Sequence, residues 1–132
     1  MTAIEHIKAM LKPLNYKMLS GYGLEFEDFI NGKAFEQDSG TSLEMICISN
    51  NGFSPYTKTE DAKYSSLSEL ITVYIRTQKD IETETKQVLE LLNKNNNYTD
   101  NDNNNKLLDL SGAYPMVIER GKYVFQIDYI II

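Results

Sequence analysis

LSELITVYIRTQKDIETETKQVLELL, residues 67–92, sets the architecture of this chain of 132 residues. Leu67, Leu70, Ile71, Val73, Tyr74 and Ile75 form a β-branched and aromatic run suited to a pleated, largely buried surface. Arg76 ends that run. Residues 77–80 make a short polar turn in which Thr77 and Asp80 have capping-box spacing, and Asp80 is itself a favourable N-cap. Ile81, Val88, Leu89 and Leu92 then fall on one stripe of a helix, with Glu82, Glu84, Lys86, Gln87 and Glu90 on the other side. A turn this short must lay the helix beside its own strand, so the unit predicts the core.

Upstream, residues 43–48 read as another strand, ended by Asn50-Asn51-Gly52. Residues 53–66 are polar, with Pro55 and several threonines, and read as a long loop anchored by Tyr56 and Tyr64. Residues 16–35 read as a meander of short strands. Leu24-Glu25-Phe26-Glu27 alternates apolar and acidic residues, and Asn31-Gly32 is a type I′ turn signal that would pair 26–30 with 34–37. At the N-terminus Thr2 and Glu5 form a capping-box pattern, followed by Ile4, Ile7, Leu11 and Leu14 at helical spacing and by the stop signal Pro13. His6 lies on the polar side of that helix and reads as solvated.

Downstream, residues 93–105 are dominated by asparagine, which favours turns and cannot build a core, so an exposed flexible loop is expected. Met116, Val117 and Ile118 lead through a charged turn at 119–122 into a closing strand. Tyr123, Phe125, Ile127, Tyr129 and Ile131 share one face of it. Val124, Gln126, Asp128, Ile130 and Ile132 share the other, which is too apolar for a solvated face. Such a strand is either central in its sheet or pressed against a partner. The order of elements predicts a single α+β domain, a mainly antiparallel sheet with an N-terminal and a central helix packed on it.

Composition narrows function by exclusion. A net charge of −6 and a pI near 4.8 argue against a face that grips nucleic-acid phosphates. The single cysteine, Cys47, permits no internal disulfide and reads as a small core residue. No segment has the length of a membrane span or the apolar core of a signal peptide, so synthesis in the cytoplasm is the plain expectation. Candidate chemistry is thin. Gly21-Tyr22-Gly23 lacks the third glycine of a phosphate loop. Glu25, Glu27 and Asp28 cluster as a solvated strand face rather than an acid–base pair. Asp100, Asp102 and Asn104 open like a calcium loop, but Asn105 and Ser111 stand where glycine and glutamate belong. One histidine and one cysteine build no nucleophilic triad. No catalytic, metal-binding or cofactor-binding residues are therefore expected. Arg76 stands out as a cation at the end of a core strand, placed to pair with a neighbouring subunit or with Asp80.

The strand–turn–helix of residues 70–92 resembles the central unit of phage tail terminator proteins, also called tail completion proteins and, in Firmicutes phages, minor capsid proteins. Tyr114-Pro115-Met116, through Arg120-Gly121-Lys122, to Asp128 is similar to that family's closing hairpin. The resemblance implies a non-enzymatic virion protein forming a hexameric ring at the head-proximal end of a tail. Its partners would be copies of itself, the tail tube protein, the head–tail connector and, in contractile particles, the sheath. DNA would pass through the ring without specific binding, and no membrane would be involved. The contact segments expected are the loops at 53–66 and 93–105, and the contact residues Arg76, Tyr56, Tyr64, Tyr98, Ile130 and Ile132. The alternative from another class is a small cytosolic acidic module of the immunity or inhibitor type, set against a basic partner.

Overall fold

Helix α1 (Ala3–Leu11) begins where the sequence places it. The Thr2 hydroxyl accepts the Glu5 N–H at 3.2 Å, satisfying one of the donors a helix start leaves open. Pro13 falls in a single 3-10 turn, Lys12–Leu14, which Asn15 closes in the left-handed region. The computed structural model describes residues 1–24, 44–58, 64–77, 79–119 and 122–132. Strands β1 (Lys17–Tyr22), β2 (Met45–Lys58), β3 (Tyr64–Thr77), β4 (Asn97–Thr99), β5 (Asn105–Glu119) and β6 (Lys122–Ile131) join helix α2 (Ile81–Lys94) in the order β1-β2-β3-β6-β5-β4 across one sheet. The expected hairpin over 26–37 and the carboxylates Glu25, Glu27 and Asp28 lie outside the described residues.

The α+β class stands, and so does the mainly antiparallel sheet. The sheet is mixed, because β1 runs parallel to β2, Lys17 opposite Met45 through Tyr22 opposite Asn50. Every other pairing is antiparallel. Of the two readings open for the closing strand, centrality holds: β6 lies between β3 and β5.

Residues directly opposite in adjacent strands share a face, so register sorts the side chains. Ile46, Ile75 and Phe125 form one row, and Ile48, Val73 and Ile127 the next; Ile71 and Tyr129 follow. These residues meet Ile7 and Leu11 of α1 and Val88 and Leu92 of α2 in the main core, so both described helices cover one face. The opposite face carries a smaller apolar cluster of Met45, Cys47, Tyr74 and Val124.

Three stretches read as interruptions turn out to be paired strand. Asn50-Asn51-Gly52 does not end β2. It is a bulge at which the register shifts, with Gly52 at φ 93, a backbone shape that glycine adopts without strain. Residues 53–58 and 64–66 are strand rather than loop: β2 runs on to Lys58 and β3 starts at Tyr64, and Phe53, Ser54, Pro55 and Thr57 pair with residues 66–69, while 59–63 lie outside the described residues. The asparagine tract shrinks in the same way. Residues 93 and 94 still belong to α2, Tyr98 anchors β4 against β5, and irregular backbone is confined to 95–96 and 100–104. There the Asp100 carboxylate accepts the N–H groups of Asp102 and Asn104 at 2.9 and 2.8 Å. These bonds hold the Asp100 carboxyl below the usual range.

His6 is the sharpest correction among single residues. It is buried, not solvated, with its ring stacked on Tyr98 at 5.1 Å and Nε2 donating to the Asn95 carbonyl at 2.6 Å. Because a carbonyl only accepts, Nε2 carries the proton.

Candidate functional site: a polar row on the far sheet face

On the face away from the helices, register places Ser49, Thr72 and Asp128 in one cross-strand row and Tyr74, Gln126 and Tyr114 in the adjacent one. The two rows are stitched together by hydrogen bonds centred on Asp128. Its Oδ1 accepts from the Thr72 hydroxyl and from Gln126 Nε2, both at 3.0 Å. Its Oδ2 accepts from the Tyr114 hydroxyl at 2.7 Å. Gln126 Nε2 also donates to the Tyr114 oxygen at 2.8 Å, and Asn51 Nδ2 donates to the Thr72 oxygen at 2.8 Å. Among the described residues, the groups that reach this carboxylate are all neutral. The hydrogen bond to Asp128, with some burial and the nearby charge, pushes the Tyr114 hydroxyl up to about 12, so it stays a donor at neutral pH.

Beside the network a cleft of about 280 Å³ opens, lined by Asn51, Leu70, Thr72, Ser111, Asp128, Tyr129 and Ile130. The bulge in β2 turns the Asn51 amide towards Thr72, and the register shift in β5 between Leu110 and Gly112 brings a residue without a side chain opposite Asp128. The cleft therefore has two aliphatic walls, Leu70 and Ile130, and a polar floor.

A second polar site lies where the start of β1 meets α2. The Tyr16 hydroxyl donates to Glu84 at 2.9 Å, and the Thr77 hydroxyl donates to Glu44. Glu84, expected on the wet side of its helix, is buried. Burial holds the Tyr16 hydroxyl well above its ordinary range, the Glu84 and Glu44 carboxylates adding to the effect and Thr77 opposing it. This corner joins strand to helix, and the donors satisfy the carboxylates. Thr77 makes no capping box with Asp80: its oxygen takes the Lys79 N–H at 3.0 Å.

The residues expected at contacts are scattered. Tyr98 is a core residue, 7% exposed and under His6, because it is the lone apolar side chain of β4 and must face inward. Arg76 is buried on the face away from the helices, opposite Met45 and Val124, and engaged within the chain rather than held out at the end of its strand. Tyr56 and Tyr64 belong to β2 and β3, and their side chains lie outside the described part. Ile130 lines the cleft; Ile132 closes the sheet end through backbone bonds with Leu107. Cys47 is buried, and burial pushes its thiol up to about 12, which leaves it inert.

Sequence reasoning missed Thr72, Tyr114, Gln126 and Asp128 as a unit. The available signal was Gln126 and Asp128, two polar residues spaced by two inside an otherwise apolar strand. Among the described residues no group of three or more His, Cys, Asp or Glu side chains is placed to hold a metal ion. No helix among them is long and apolar enough to cross a membrane. The chain matches no protein-family model and no curated protein.

Proposed function

We propose that this chain is a structural protein of the tail terminator type, whose copies close into a ring at the head-proximal end of a phage tail or phage-tail-like particle. The ring ends growth of the tube and offers the connector a docking surface; it catalyses nothing. One observation carries the reading: the subunit has two unlike broad faces. One is a helix layer; the other is the far sheet face, buried at Ser49, Thr72, Tyr74 and Arg76 and, among the described residues, exposed towards β5 at Tyr114 beside the Asp128 cleft. Heterologous contacts that close a ring need such a pair of unlike surfaces on every subunit. The flank of β5 agrees. Among the described residues β4 covers only Asn105–Leu107, and from Leu110 onward β5 carries the exposed Leu110 and Tyr114. Phe53 stands 66% exposed beside the β2 bulge. Apolar side chains and a free strand edge in these places are material for a partner. The acidic balance suits a DNA passage that repels phosphate.

Deleting the gene from the particle-producing strain and imaging the particles tests the reading. Overlong tubes without attached heads are expected. Tails of normal length joined to filled heads would overturn it.

A further inference from the structure

Among the described residues, Asn51-Gly52 is the one place where an asparagine precedes a glycine. In a free chain such a pair is reactive. The glycine nitrogen attacks the asparagine side-chain carbon, a new C–N bond closes a cyclic imide, and ammonia leaves with the proton of the attacking nitrogen. Water then opens the imide at either carbonyl, giving aspartate or isoaspartate. A glycine favours the attack because no Cβ obstructs it.

The β2 bulge leaves Asn51 exposed yet ties down the atoms that this reaction needs. The attacking group, the Gly52 N–H, donates to Asn50 Oδ1 at 2.9 Å. Asn50 is itself buried and fixed, with Nδ2 donating to Glu69 at 2.8 Å. Asn51 Oδ1 accepts the Ser49 hydroxyl at 2.9 Å, and Asn51 Nδ2 donates to the Thr72 oxygen at 2.8 Å. The amide cannot swing towards the Gly52 nitrogen without breaking both bonds.

The same amide is the middle link of a directed chain. Donors run from the Leu24 N–H to Ser49, from Ser49 to Asn51, from Asn51 to Thr72, and from Thr72 to Asp128. Only a group that accepts at one end and donates at the other fits between Ser49 and Thr72. An ionised aspartate accepts at both ends. It would face a hydroxyl whose single proton already serves Asp128, and it would set a second negative charge beside the first. We propose that Asn51-Gly52 is a deamidation site held shut by the fold: the amide converts only when the β2 bulge opens, and the resulting carboxylate keeps the Ser49–Thr72–Asp128 row from re-forming. The site works in this way whether or not copies of the chain assemble.

The test holds the full chain in slightly alkaline buffer, folded and, separately, unfolded in guanidinium chloride, and follows conversion of amide to acid by mass spectrometry of its peptides. In the unfolded chain Asn31, which also precedes a glycine, calibrates the rate of an unhindered pair. Folding should slow conversion at Asn51 at least about tenfold. Thr72→Val frees Asn51 Nδ2 and should speed conversion in the folded chain severalfold, whereas Thr72→Ser keeps the hydroxyl and should keep the slow rate. Asn51→Asp, the product made genetically, should lower the urea midpoint. A folded-state rate equal to that in guanidinium chloride, a Thr72→Val rate equal to wild type, or an Asn51→Asp midpoint equal to wild type each overturns the proposal. If Thr72→Val does not fold, Ser49→Ala takes its place, freeing Asn51 Oδ1 instead, with the same two outcomes.

Discussion

At the scale of single residues, His6 fastens the two helices together. Its Nε2–H caps the carbonyl of Asn95, the residue that closes α2, and its ring lies within 20° of parallel to Tyr98. One histidine thus ties α1, the end of α2 and β4 into a single joint. A buried hydrogen bond contributes about 1 kcal/mol and an aromatic pair about 0.5–1.5 kcal/mol beyond burial. His6→Ala should therefore lower unfolding free energy by about 2 kcal/mol, read as a shift of the urea midpoint at constant slope. His6→Phe keeps a ring over Tyr98 but leaves the Asn95 carbonyl without its donor, so it should recover only part of the loss. Equal stability of wild type and His6→Ala would mean that the joint does not exist in solution.

At the scale of elements, the turn between β4 and β5 depends on one carboxylate. Asp100 accepts two backbone N–H groups, while Asn103 takes the left-handed conformation at φ 61. Asp100→Ala removes the acceptor, and the amide protons of Asp102 and Asn104 should lose their protection from hydrogen exchange while α1 and β3 keep theirs. Asp100→Asn retains an oxygen and should retain partial protection. Because the folded chain holds this carboxyl below its ordinary value of 3.8, its contribution is present above that pH and fades as acid protonates it. Unchanged exchange at Asp102 and Asn104 in Asp100→Ala would remove the turn from the account. The same element shows where sequence was legible. The β3–α2 unit, the Thr2 cap and the helix-facing side of β6 follow from periodicity and local capping, which act within a few residues. The asparagine tract hid β4 because composition averages over a single buried tyrosine. The burial of His6 and Glu84 was hidden for another reason. Each sits on the polar side of its own helix, yet meets a neighbour far along the chain, Asn95 for His6 and Tyr16 for Glu84. Asn50-Asn51-Gly52 reads as a stop because turn signals and bulge signals use the same residues. The Asp128 network escaped notice because its members are brought together by register across three strands, which no local pattern encodes.

At the scale of the whole molecule, the fold locks protons into its interior. Burial pushes the Cys47 thiol from 9.0 up to about 12 and the Tyr98 hydroxyl from 10.0 up to about 12. It also raises Tyr16, Tyr74 and Tyr129. The unfolded chain releases these protons once the pH passes about 9 to 10, whereas the folded chain keeps them for a further two units or so. In that window the native state binds more protons than the unfolded state, so unfolding becomes easier as pH rises. Below about pH 9 these groups are protonated in both states and leave stability flat. Each contributes at most about 1.4 kcal/mol of lost stability per pH unit inside the window. Urea midpoints should therefore coincide at about pH 7 and about pH 8.5, then fall steeply towards pH 11. Tyrosinate absorbance from the buried rings should rise together with the unfolding signal rather than ahead of it. A midpoint that holds steady to pH 11, or tyrosinate formed in a chain that is still folded, would mean that the core admits water and charge.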